Sequence, residues 1–144
     1  MIKIIVDSTC DINNEISDNY FYDIEVIPLS ITIDGVSYLD GVDIDVDTIY
    51  KCMRDGKVPK TSQVSFESVS NAIEKCILNN NDFIYLAFSS KMSGTYSFAK
   101  KIIEKYKEKN PERKMEIIDS KGGAGGTGLI VLQALRMIKK NLPY

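Results

Sequence analysis

Three short apolar runs constrain the fold of this chain more than any other feature. Residues 2–6, 83–88 and 115–118 are rich in β-branched and aromatic side chains, and stretches of helical character follow them. Continuous apolar runs of that length suit strands buried on both faces. Their alternation with helices predicts parallel βαβ units. Each run gives way to small polar residues: Asp7-Ser8-Thr9, Ser89-Ser90 and Asp119-Ser120. Ligands of such sheets bind beyond the C-terminal strand ends, so these three clusters are the first candidates for a site.

The remaining segments fit an α/β fold in which helices flank a parallel β-sheet and a β-hairpin is inserted. Asp11 is placed to cap a short helix over residues 13–20, and Tyr22-Asp23 turns the chain. Residues 25–33 read as a second strand, with Pro28 marking an edge or a bulge. Asp34-Gly35 is a hairpin signal, returning the chain antiparallel over residues 36–39. Asp45 opens a helix whose Val46, Ile49, Tyr50 and Met53 predict one buried face, and Gly56 ends it. Residues 57–63, with Pro59, read as a loop. A helix over residues 66–78 carries the stripe Val69, Ala72, Ile73, Cys76 and Ile77. Another runs to about residue 107, with Tyr96, Ala99, Ile103 and Tyr106 inward, and Asn110-Pro111 breaks it. The last helix is expected over residues 127–140.

Several functions are disfavoured by composition. At 144 residues, 44% hydrophobic and 26% charged, the chain suits one globular domain. Its net charge of -2 offers no basic excess for nucleic acid. No apolar run approaches the ~20 residues of a membrane span, and the N-terminal run is too short and too soon charged for a signal peptide. A cytoplasmic protein is expected. Cys10, Cys52 and Cys76 are widely spaced without a CxxC pair, which argues for reduced thiols. Cys76 belongs to a helical stripe; Cys10 would need a neighbouring base to be reactive. Histidine is absent, which removes the usual catalytic base and the commonest metal ligand. Neither a metal nor a cofactor is expected.

The stretch Ser89-Ser90-Lys91-Met92-Ser93-Gly94-Thr95 lies where a strand gives way to a helix. Free N–H groups and the helix dipole suit an anion there. Ser93 either contacts such a ligand or simply caps the helix. Thr61-Ser62-Gln63 adds two hydroxyls and an amide, a chemistry that holds a carboxylate without a cation. Asp7-Ser8-Thr9 lacks the second aspartate of an aspartyl-phosphate motif. Gly122-Gly123-Ala124-Gly125-Gly126-Thr127-Gly128 has glycine spacing suited to a phosphate cradle, but Lys121 precedes it instead of closing a P-loop. An enzyme acting on a phosphorylated small molecule through that loop, with Asp7 or Asp119 as acid or base, is the alternative function. Close packing of the last helix on the sheet is the structural reading of the same glycines.

Taken in order, these motifs resemble the DegV family of bacterial fatty-acid-binding proteins. The likeness rests on Val6-Asp7-Ser8-Thr9 and Asp11, Val26-Ile27-Pro28-Leu29, Tyr38-Leu39-Asp40-Gly41-Val42-Asp43-Ile44, Thr61-Ser62-Gln63, Ser89-Ser90 with Ser93-Gly94-Thr95-Tyr96, and Ile118-Asp119-Ser120. Val64-Ser65-Phe66 departs from the prolines usual after Thr-Ser-Gln. The resemblance implies a long-chain fatty acid held between two domains, its carboxylate on Thr61 and Ser93 with Ser62, Gly94 and Thr95 alongside. Asp7, Ser8, Ser89, Ser90, Asp119 and Ser120 are the supporting polar groups. It further implies a non-catalytic carrier that presents the lipid to a separate ATP-dependent fatty acid kinase. Family members are about twice as long, so residues 1–144 are expected to form the N-terminal domain without its C-terminal partner. Self-association through an uncovered apolar cleft would follow.

Overall fold

The computed structural model describes residues 1–12 and 24–142. The expected helix over residues 13–20 and the turn at Tyr22-Asp23 lie outside the described residues. In chain order the elements are β1 (Ile2–Asp7), β2 (Ile24–Ile27), β3 (Ser30–Ile33), β4 (Val36–Leu39), α1 (Val46–Arg54), β5 (Lys60–Ser62), α2 (Phe66–Leu78), β6 (Asp82–Ala87), α3 (Thr95–Lys109), β7 (Met115–Asp119) and α4 (Gly125–Lys139).

The main sheet is parallel, in the order β2-β1-β6-β7. Alternation along its strands divides the core in two. Ile5, Phe83, Tyr85 and Met115 face Val69, Ile73, Ala99 and Ile103 of α2 and α3. Ile4, Val6 and Leu86 face Val131 and Leu135 of α4 on the other side. Cys76 is buried in the first cluster, as its stripe predicts, while Tyr96 and Tyr106 are only partly buried against it.

Residues 25–33 are two strands, not the one expected. β2 pairs with β1 in the main sheet, whereas β3 belongs to a second, antiparallel sheet of order β4-β3-β5. Pro28 and Leu29 make the transfer. The Leu29 N–H donates to Ser8 Oγ at 3.1 Å, and the Leu29 carbonyl accepts from Asp40 N–H at 2.9 Å. The hairpin turn at Asp34-Gly35 has φ of 52° and 81°, the two positive values of a type I′ turn. Residues 60–62, expected in a loop, form β5 against β3.

The amphipathic face of α1 is also not buried as expected. Its N-cap is formed as predicted, Asp45 accepting from Thr48 N–H at 2.7 Å. Ile49 and Cys52 pack against a small core of Ile31, Ile33 and Ile44. Val46, Tyr50 and Met53 stay more than half exposed because that core is too small to cover them.

Candidate anion-binding site

The three polar strand ends meet at one edge of the main sheet, and most of their side chains hold the edge together. Asp7 is 1% exposed, and its carboxylate accepts from the Phe88 N–H at 3.1 Å, the Thr9 N–H at 3.2 Å, the Thr9 hydroxyl and, at 3.4 Å, the Tyr85 hydroxyl. Burial, with Asp7 beside it, pushes the Tyr85 phenol well above its ordinary value. Ser8 is engaged with Leu29, as described. Asp119 accepts from the Ser90 hydroxyl at 2.6 Å, the Ser90 N–H at 3.1 Å and the Lys121 N–H at 3.0 Å. The Ser90 hydroxyl is the main cause that holds the Asp119 carboxyl below its ordinary value. Ser89 is buried; its Oγ accepts from Lys91 N–H, and its own N–H donates to the Gly122 carbonyl. Ser120 bonds with Gly122 and lies 3.3 Å from the Thr127 hydroxyl.

The Ser93 turn is arranged differently. Ser93 is half-buried, and its Oγ accepts from Thr95 N–H at 3.1 Å while donating to the Thr95 hydroxyl at 3.0 Å. That is the local bonding a turn-forming serine makes. Gly94 is the N-cap residue of α3 and has no side chain with which to cap it. The next two amides, of Tyr96 and Ser97, find no acceptor among the described residues. In contrast, α1 and α2 have side-chain caps, from Asp45 and Ser65. The α3 terminus therefore offers N–H donors and a dipole at the edge where sheets of this class take ligands, while the Ser93 hydroxyl commits its proton to Thr95.

β5 carries the second hydroxyl pair. Thr61 pairs with Ile31 and Ser62 with Ser30, so their side chains emerge on opposite faces of the small sheet. Thr61 and Ser62 cannot both turn their hydroxyls to one head group. Gln63, next in sequence, reaches Gly94: a Cβ on Gly94 would overlap the Gln63 carboxamide oxygen. This contact links β5 to the Ser93 turn. It was not foreseen from the sequence; the absence of a Cβ at position 94 was the available signal.

The glycine-rich loop packs closely on the sheet. A Cβ at Gly123 would lie 2.9 Å from the Phe88 ring, and one at Gly128 3.0 Å from the Asp11 carbonyl. The Gly122, Gly126 and Gly128 amides donate within the protein. Lys121 and Ala124 take positive φ, of 52° and 44°. This arrangement matches the packing role of the glycines better than a cradle of converging donors.

Other chemistry is sparse among the described residues. No group of three or more acidic, cysteine or histidine side chains is arranged to hold a metal. No helix among the described residues is long and apolar enough to cross a membrane. Burial, reinforced by Asp7, pushes the Cys10 thiol up to about 12. An open apolar groove of about 500 Å³ runs between α4 and the main sheet, lined by Ile84, Ile118, Leu129, Ile130 and Met137 among others. It lies on the α4 face, and none of the predicted site residues lines it.

Known proteins resemble this chain in sequence and architecture. The family model described as "Uncharacterised protein, DegV family" matches residues 1–144. A DegV domain-containing protein of Caldanaerobacter subterraneus is 40% identical over 136 residues, 94% of this chain and 46% of the relative. One from Clostridium acetobutylicum is 36% identical over 140 residues, 94% and 47% of the two chains. The chain thus spans about half the length of these relatives. Among solved structures, a stearic-acid-binding protein from Eubacterium ventriosum superposes with a TM-score of 0.91 at 31% identity, over 100% of this chain and 50% of the other. A Thermotoga maritima protein described as revealing fatty acid binding function gives 0.82 at 30% identity, over 99% and 50%. On the family match and these relatives, the chain belongs to the DegV family.

Proposed function

We propose that this chain binds a long-chain fatty acid, with the carboxylate at the N-terminus of α3. The superposition on the stearic-acid-binding protein, which covers the whole chain, carries the reading. In it Ser93 and Thr61 supply hydroxyls, and Gly94 and Thr95 form the turn that presents the free amides. Ser62, on the opposite face of β5 from Thr61, acts through its backbone. Asp7, Ser8, Ser89, Ser90, Asp119 and Ser120 hold the strand ends in register around the site. A carboxylate suits donors of this kind because hydroxyls and amides satisfy it without a buried cation.

The carrier does no chemistry itself and presents the lipid to a separate ATP-dependent fatty acid kinase in the cytoplasm. Residues 1–144 form the N-terminal α/β unit, and a second domain closes on the head group. On its own this unit self-associates through its uncovered apolar cleft, which sedimentation velocity at graded concentrations reads directly.

Thermal melts with palmitate and with ATP separate this reading from that of an enzyme using the glycine-rich loop. A ligand at 100 times its dissociation constant adds about 2.7 kcal/mol. Stabilisation by palmitate alone is expected, and stabilisation by ATP alone would favour the enzyme.

A further inference from the structure

Gly94 is not required by its backbone. Its φ of -73° and ψ of -8° lie in the right-handed helical region, open to any L-residue. Gly35 and Gly56 are the opposite case, with φ of 81° and 83° and open space where a Cβ would stand. At Gly94 the space is taken: the Gln63 carboxamide oxygen occupies the position a side chain would need. This seat, against a Cα–H, suits a weak C–H···O contact.

The contact joins two parts of the fold that no strand pairing connects. Thr61 is on β5 of the antiparallel sheet, whereas Ser93 follows β6 of the parallel sheet. Val64, 1% exposed in the main core, anchors the chain one residue beyond Gln63. Between that anchor and Thr61, the Gln63 side chain is the strut that rests on the Ser93 turn.

We propose that Gln63 is a positioning residue of the carboxylate site, its carboxamide seated on Gly94 and setting the separation of Thr61 from Ser93. The proposal rests on the fatty-acid reading for its consequence but not for its geometry. Because the obstructing atom is the end of a flexible side chain, a methyl at position 94 displaces Gln63 instead of unfolding the protein. Gly94→Ala and Gln63→Ala then act through one contact and are not additive.

The test is a double-mutant cycle with two readouts. Amide resonances of Thr61 and Ser62 in the ligand-free protein report the geometry. They are expected to move in Gly94→Ala but to stay put when Gly94→Ala is added to Gln63→Ala. Affinity for palmitate is expected to fall about five- to tenfold in each single variant and no further in the double, with melting temperatures nearly unchanged. Unmoved Thr61 resonances in Gly94→Ala, or equal movement in both backgrounds, would overturn the proposal. So would additive losses of affinity. Coupled resonances in a chain that binds no palmitate would support the strut and refute the fatty-acid reading instead.

Discussion

The Asp119 carboxylate takes both the hydroxyl and the backbone N–H of Ser90, at 2.6 and 3.1 Å, across 29 residues of sequence. It joins the ends of β6 and β7 and orders the loop that leads to Ser93. Hydrogen bonding favours the ionised form, so the folded carboxyl titrates below its ordinary 3.8. A depressed carboxyl contributes stability that is complete above the unfolded value and disappears as pH falls through the folded one. Ser90→Ala is expected to cost about 0.5–1 kcal/mol at pH 7, the site being solvent-screened. Urea melts at stepped pH should show that gap closing below about pH 4.

Asp7 is the more costly residue to lose. It is buried, and its partners include an amide at the end of β6. Asp7→Ala leaves the Phe88 N–H unsatisfied, and about 2–3 kcal/mol should be missing from the unfolding free energy. A loss no larger than that of Ser90→Ala would mean that water replaces the carboxylate.

How much of this was legible in advance depended on sequence distance. The helix at residues 66–78 was readable to the residue because five apolar side chains keep its period and a turn follows. The strand at residues 60–62 was missed because Lys-Thr-Ser has no apolar pattern; only pairing with β3 makes it a strand. Pro28 signalled an interruption but not that the chain changes sheets there. The α1 stripe showed which face is apolar and not whether anything covers it. Of the candidate site, the residue types were visible at the strand ends. Their bonding was not: Asp7 and Phe88 are 81 residues apart, and Gln63 meets Gly94 through a space that only the folded chain creates.

Ala124 sits at φ 44° and ψ -121°, outside the regions an L-residue favours. Ala124→Gly should therefore stabilise the chain by about 1 kcal/mol, relief of strain exceeding the added flexibility of the unfolded chain. Calorimetry should show a melting temperature about 3 °C higher. A lower one would mean that the loop gains nothing from glycine.

Burial divides the three thiols. Cys10 and Cys76 are buried, with values pushed up to about 12 and about 11, while Cys52 is only half-buried. Iodoacetamide at pH 8 followed by peptide mapping should label Cys52 first, and the other two at the rate of unfolding. Early labelling of Cys10 would contradict its packed environment.

Carboxylate binding at the α3 terminus is tested by native mass spectrometry of the protein purified from bacteria, beside a Thr61→Ala, Ser93→Ala double variant. Co-purified fatty acid is expected on the unaltered chain and its loss from the variant, with the melting temperature nearly retained. Equal lipid loading of both proteins would contradict the placement of the carboxylate at the α3 terminus.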